Sequence, residues 1–179
     1  MPAVDALIDL LFPDGPPEPV GPPPAWPMPS DLREFFTRIG YDNVEVDNRF
    51  AFGIDRYFFQ RSVYQQDVLW QVHESEVLAI RGTWVRTPGT PAYEGDWDVA
   101  VDDLLCFGSD DNGNQLYLEA VGDPDDWAVV VGGGGVGWAR YTSGATAYLH
   151  GLLSGDLHCP AFTLEDWPEA TLDVVVRHH

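Results

Sequence analysis

The spacing of hydrophobic residues changes along the chain, from a helical period near its start to a strand-like pattern after about residue 50. The first helical face has apolar residues at the i, i+3, i+4 and i+7 positions, namely Val4, Leu7, Ile8 and Leu11. Pro13 ends this pattern because proline cannot continue a helix. The pattern predicts a short amphipathic helix that needs another surface to pack on.

A proline-rich stretch, PDGPPEPVGPPPAWPMP, separates this helix from the next one. Nine of the 15 prolines lie in residues 13–29, which favours an extended, semi-rigid connector. The segment SDLREFFTRIG predicts a second helix with the apolar face Leu32, Phe35, Phe36 and Ile39. Ser30 or Asp31 can cap this helix, and Asp31 with Glu34 has the spacing of a capping box. Gly40 suits its C-terminal end.

The segments that follow are short, rich in β-branched and aromatic residues, and bounded by Gly, Pro, Asn and Asp. Six of them predict strands: RFAFGIDRYFF (49–59), EVLAIRGTWVRT (76–87), WDVAVDDLLCF (97–107), NQLYLEAV (114–121), DWAVVV (126–131) and VGWARYT (136–142). Their spacing is too tight for intervening helices, so the sheet should be largely antiparallel. A third helix begins after Ser143 and ends at Gly155, with the apolar face Ala145, Tyr148, Leu149, Leu152 and Leu153.

These elements predict an α+β fold. We expect a largely antiparallel sheet of about six strands with helices packed on one face. A short helix and a proline-rich leader should occupy residues 1–24, and a single domain should occupy residues 25–179. The length of 179 residues fits one domain.

The charge of the chain excludes some classes of function. Nine basic residues against 29 acidic ones give a net charge of -20, and all nine are arginines. This argues against nucleic-acid binding, where basic groups supply most of the affinity, and permits a basic protein partner. Without lysine the chain has no Schiff-base nucleophile and no P-loop lysine. The first residues lack a signal-peptide pattern and no segment is long enough to span a membrane, which predicts a cytoplasmic protein.

The polar cluster in CFGSDDNGNQLYLEAVGDPDDWAVV (106–130) raises the question of a metal or catalytic loop. Its alternating oxygen side chains resemble a calcium loop, but Gln115 stands where the required glycine should be and Val121 where the glutamate should be. A solvated turn is therefore favoured over a catalytic carboxylate pair. Asn112-Gly113 is a preferred hairpin pair because both residues can hold positive φ.

Other sequence patterns also favour a structural role over a catalytic or ligand-binding one. The run VGGGGVGW (131–138) lacks nucleotide-binding spacing and predicts a hairpin loop. His150, His158 and Cys159 do not have the spacing of a zinc site, so no metal or other cofactor is expected. Cys106 and Cys159 are predicted to be reduced thiols in the core.

The order of these pieces resembles the SUKH superfamily, the Smi/Knr-like immunity and regulatory proteins. The resemblance covers about residues 25–154 and rests on WPMPSDLREFFTRIG, the stretch 106–130, GGGGVGWARY and TSGATAYLHGLL. It implies a non-enzymatic domain that binds proteins. Bacterial members are mostly thought to neutralise toxins, and fungal relatives act as interaction hubs. Residues 50–100 and the proline-rich leader have no counterpart in the resemblance.

Three hypotheses follow. The first is an immunity protein that binds a toxin domain with a basic surface, with the candidate contacts Asp110, Asp111, Asp123, Asp125, Asp126, Trp127 and Trp97. The second is a regulatory scaffold for endogenous proteins, in which the proline-rich leader is a further docking element. The third, a hydrolase that uses Asp110, Asp111 or His150, has the least support.

Overall fold

The computed structural model describes residues 2–19, 27–40, 43–53, 103–133, 137–157, 159 and 172–177. Helices α1, α2 and α3 span Pro2–Leu11, Ser30–Ile39 and Ala145–Ser154. Strands β1 to β7 span Asn43–Val46, Phe50–Phe52, Leu104–Asp110, Asn114–Glu119, Val129–Gly133, Gly137–Tyr141 and Val174–Arg177. A 3-10 turn, Pro124–Asp126, lies between β4 and β5.

The seven strands form one sheet in the order β6-β5-β4-β3-β2-β1-β7. Every neighbouring pair is antiparallel, which confirms the predicted α+β fold with an antiparallel sheet. The sequence did not predict β1 or β7, whose pairing places Val44 opposite Val176. The predicted strand 76–87 lies outside the described residues.

The helices pack on one face of the sheet. Side chains alternate along a strand, so every second residue points to this face. The core there combines the apolar faces of the three helices with strand residues that include Val44, Val46, Phe50, Phe52, Phe107, Leu116, Leu118, Val129 and Val131. The predicted helical faces are confirmed, since all of their apolar residues are buried.

The first helix belongs to this core. Its main contacts are with α3, and it also contacts α2. Met28, near the end of the proline-rich connector, is buried in the same cluster. Residues 15–19 of the connector have no regular secondary structure, and residues 20–26 lie outside the described residues.

The hairpin between β3 and β4 differs from its predicted form. Among its turn residues only Gly113 has positive φ, at 83°, whereas Asn112 does not. Three residues, 111–113, separate the strands, and such loops commonly end in one left-handed residue. The turn between β1 and β2 instead has two consecutive left-handed residues, Asp47 (φ 56°) and Asn48 (φ 54°).

Candidate functional site

The polar cluster that opened the functional question is an internally bonded hairpin. Asp110 is buried, and its Oδ1 accepts the backbone N–H groups of Asn112 at 2.9 Å and Asn114 at 2.8 Å. Its Oδ2 accepts from Asn114 Nδ2 at 2.7 Å. Both carboxylate oxygens are therefore engaged in holding the turn. Asp111 is exposed, and its backbone N–H donates to the Arg49 carbonyl at 2.9 Å.

A second acidic turn follows β4. Asp123 precedes the 3-10 turn and caps it, because its Oδ1 accepts the backbone N–H of Asp125 at 3.1 Å. Asp125 in turn accepts the backbone N–H of Ser30, the first residue of α2, at 2.6 Å. Asp123, Asp125 and Asp126 are all exposed. We call residues 123–126 the acidic turn; it presents carboxylates to solvent while one of them holds it against α2.

The charge of Asp125 is stabilised by this contact. The Ser30 backbone N–H, followed by the Ser30 side chain and the nearby Arg33 guanidinium, holds the pKa of Asp125 below its ordinary value. The N-terminus of a helix carries a partial positive charge, so it favours a carboxylate at this position. Asp125 therefore stays ionised at neutral pH.

The candidate tryptophans differ in what the structure shows of them. Trp127 is 7% exposed and packs in the core, while its indole Nε1 has no hydrogen-bond partner in the described part of the chain. Trp97 lies outside the described residues.

Val121, two residues before Asp123, is 54% exposed, although the sequence predicted it as the last residue of a strand. The structure ends β4 at Glu119, so Val121 lies in the loop beside the acidic turn.

The two groups of predicted acidic contacts lie at opposite ends of β4. The hairpin that contains Asp110 and Asp111 precedes the strand, and the acidic turn follows it. A six-residue strand spans roughly 20 Å. The fold therefore does not bring the five aspartates together, and a compact site includes one turn or the other.

The cysteines and histidine offer little nucleophilic chemistry. Cys106 and Cys159 are free thiols, with Cys159 buried and Cys106 partly buried. Burial raises the pKa of Cys106 to about 12; this thiol is therefore protonated at neutral pH. Within the described residues no three His, Cys, Asp or Glu side chains are grouped to hold a metal ion. His150 lies on α3 as predicted, and His158 lies outside the described residues.

Asp31 was predicted to cap its own helix, but the N-cap of α2 is Pro29, with no side-chain cap. Within α2, Asp31 Oδ1 accepts the backbone N–H of the adjacent Leu32 at 2.7 Å. Asp31 Oδ2 reaches the start of α3, where it accepts the backbone N–H of Thr146 at 2.9 Å and the Thr146 hydroxyl at 2.8 Å. Glu34 was the expected partner in a capping box, but its Oε1 lies 3.7 Å from Nη1 of Arg38. The spacing Asp31 to Glu34 carried no information about α3, which is 115 residues away.

Comparison with protein families, with curated proteins and with solved structures finds no match for the chain. Among the described residues, no helix has the length and apolar character needed to cross a membrane.

Proposed function

We propose that the protein is a non-enzymatic binding module of the SUKH type, which neutralises a toxin in the cytoplasm by binding its basic surface. The observation that supports this most directly is the acidic turn. Asp123 and Asp126 are exposed, and the bond from Ser30 to Asp125 holds the turn on α2 at 2.6 Å. A fixed group of carboxylates loses little conformational freedom when it meets arginine or lysine side chains.

Val121 adds an apolar contact to this surface. Interfaces combine a few apolar anchors with a polar rim that excludes water. Val121 is exposed next to Asp123, so a partner can bury it while its basic groups meet the carboxylates. The net charge of -20 would steer a basic protein toward this surface. Asp110 fits the interface less well because its carboxylate is buried within the hairpin.

The test uses the purified full-length chain as bait in a lysate of its source organism, at low and at moderate salt. We expect one stoichiometric partner with a toxin-like domain, whose toxicity is suppressed when both proteins are co-expressed. The variant Asp123→Asn/Asp126→Asn should retain much less of it. Asp9→Asn/Asp14→Asn is the matched control, because it removes the same charge from exposed positions on α1 and the connector.

Two results would contradict the proposal. If both double variants lose the partner equally, net charge and not the acidic turn is responsible. If co-expression leaves toxicity unchanged, the captured protein is not a neutralised toxin. Asp125 is left intact in these binding variants, because its carboxylate also holds the turn on α2.

The alternative is a regulatory scaffold that docks endogenous proteins through the proline-rich connector. Pro16, Glu18 and Pro19 are exposed in a stretch without regular secondary structure, and aromatic-lined grooves recognise proline-rich segments. Deletion of residues 1–24 would not test this cleanly, because it also removes α1 from the core. Replacement of Pro16 and Pro19 by alanine leaves α1 in place, and it should abolish capture of partners only if the connector is the docking element.

A further inference from the structure

Strand β7 lies at one edge of the described sheet. It pairs with β1 and with no other described strand. The backbone N–H and C=O groups along the outer side of an edge strand can pair with another chain, and natural edges are often protected by proline, lysine or a β-bulge. Strand β7 has the sequence VVVR, without proline or lysine, and its register with β1 is regular.

The pairing with β1 identifies the backbone groups of β7 that point outward. The backbone N–H of Asp47 donates to the carbonyl of Asp173 at 2.8 Å, so these two residues form a hydrogen-bonded pair. Bonded and non-bonded pairs alternate along an antiparallel ladder. Since the register has no irregularity, residues 173, 175 and 177 bond toward β1. The N–H and C=O groups of Val174 and Val176 therefore point away from the sheet.

The side chains of β7 divide between the two faces of the sheet. Val174 packs against the core on the helix face, and alternation places Val175 on the opposite face. Val175 is 39% exposed. Asp173 is exposed two positions before it, and Arg177 ends the strand two positions after it. These three positions carry, in chain order, a negative charge, an apolar group and a positive charge.

This order is self-complementary for antiparallel pairing. When two copies of β7 meet about a twofold axis at Val175, position 173 of one copy faces position 177 of the other. Val174 then faces Val176 of the second copy, so the outward backbone groups form the hydrogen-bonded pairs. The two Val175 residues face each other in a non-bonded pair, where facing side chains lie closest. Opposite charges and apolar groups at facing positions both stabilise a strand pair.

We propose that β7 is the site at which two copies of the chain associate edge to edge, into one continuous antiparallel sheet. A four-residue strand buries less surface than a stable dimer interface needs, so the dimer is weak and concentration-dependent. The charge of -20 on each copy opposes it, but salt near 0.15 M screens this repulsion beyond about 8 Å. Facing positions in a strand pair lie closer than that. The site is separate from the acidic turn, so the inference does not rest on the proposed function.

Sedimentation velocity of the full-length chain at about 150 mM NaCl tests the proposal. We expect monomer and dimer in exchange, with a dimer fraction that rises with concentration. Val175→Lys places two like charges at the twofold axis and should leave the protein monomeric. Val121→Lys makes the same change at the exposed valine beside the acidic turn, and it should dimerise as the wild type does. A wild type that stays monomeric, or a Val175→Lys variant that dimerises equally, would overturn the proposal.

A charge swap tests the register. Asp173→Arg and Arg177→Asp each put like charges at facing positions, so each should weaken dimerisation at least about fivefold. The double variant Asp173→Arg/Arg177→Asp makes the facing charges opposite again and should return to within about twofold of the wild type. The bonds between Asp173 and Asp47 use only backbone atoms of Asp173, so the swap leaves them in place.

General repulsion between acidic copies predicts a different result. Asp173→Arg makes the net charge less negative, so this variant would associate more strongly if net charge alone governed the dimer. Circular dichroism checks that each variant is folded, and the concentration series of the wild type needs no variant. Stronger association of Asp173→Arg, or a double variant that fails to restore the dimer, would show that β7 does not pair with itself.

Discussion

Asp31 lies in the first turn of α2, yet its carboxylate binds the start of α3. The residue before α3 is Gly144, with φ 87° and no side chain to accept a bond. The first backbone N–H groups of a helix have no partner within it, and Asp31 supplies one from another helix. Asp125 does the same for Ser30 of α2. Part of the acidic composition therefore joins elements that are distant in sequence.

We expect Asp31→Ala to lower the free energy of unfolding by about 1–2 kcal/mol, since removal of a cap costs this much. Asp31→Asn keeps an acceptor for the Thr146 N–H and should recover most of the loss. The measurement is urea denaturation followed by tryptophan fluorescence. Glu34→Ala is the control, and an equal loss there would mean that Asp31 acts within α2 and not on α3.

Asp110 should matter for stability and not for binding alone. Asp110→Ala removes three hydrogen bonds to a charged acceptor and leaves the buried Asn114 amide without its partner. We expect a loss of about 3 kcal/mol. Asp111→Ala, at the exposed neighbouring position, should change stability by less than about 0.5 kcal/mol. Thermal unfolding of both variants checks this, and similar midpoints would contradict it.

The sequence predicts local features of single residues but not their contacts with distant parts of the chain. The Asn112-Gly113 pair correctly predicted a turn, because turn chemistry is local. It did not predict that Asp110 would be buried, since burial depends on how the hairpin meets the rest of the fold. The bond from Asp31 to Thr146 joins residues 115 positions apart, and no pattern within α2 can report it.

At the scale of elements, the pairing of β2 with β3 depends on a close approach at Gly108. A Cβ on Gly108 would lie 2.9 Å from the Ala51 carbonyl oxygen and 3.1 Å from Phe52 Cβ. The register of the hairpin also shifts between Cys106 and Gly108. Backbone atoms cannot move aside as a flexible side chain can, so a glycine is needed here for space.

We therefore expect Gly108→Ala to destabilise the fold by about 1–3 kcal/mol, the usual cost of overpacking. Gly113→Asn is the matched control. Gly113 has φ 83°, a Cβ added there would have no neighbouring atom within 4 Å, and Asn tolerates the left-handed region. The control should lose clearly less stability in chemical denaturation. A larger loss for Gly113→Asn would locate the constraint in the turn and not in the strand pair.

The contact between the acidic turn and α2 predicts that the stability of the fold depends on pH. The native pKa of Asp125 is lowered, so its charged form is favoured by folding. The stability that the Asp125 carboxylate contributes is fully present above the unfolded pKa of about 4. It is lost as the pH falls through the native pKa. Between about pH 5 and pH 2 the wild type should lose more stability than Asp125→Asn. Asp126→Asn leaves the bond to Ser30 intact, so its pH profile should keep the wild-type slope; a flattened profile would contradict this assignment.

Elements differ in how well the sequence predicts them. The helices were predicted closely because their apolar spacing and glycine stops are local signals, as with Gly155 at the end of α3. Strand β1 has only four residues, and it becomes a strand through pairing with β2 and with the distant β7. Such pairing depends on contacts far apart in sequence, which explains why β1 and β7 were missed.

At the scale of the whole molecule, the charge of -20 opposes folding but favours the binding of a basic partner. Repulsion among 29 acidic residues opposes the compact state, and salt screens it. Attraction of a basic partner is screened by the same salt. Salt should therefore strengthen the fold while it weakens the complex.

We expect the free energy of unfolding to rise by on the order of 1 kcal/mol between about 10 mM and 200 mM NaCl. Binding of the captured partner should weaken over the same range. Denaturation and binding titrations of one preparation measure both slopes, and the control is Asp9→Asn/Asp14→Asn, whose smaller charge should reduce both. If binding weakened because salt loosened the fold, stability would fall with it; a rise in stability alongside weaker binding assigns the salt effect to the interface.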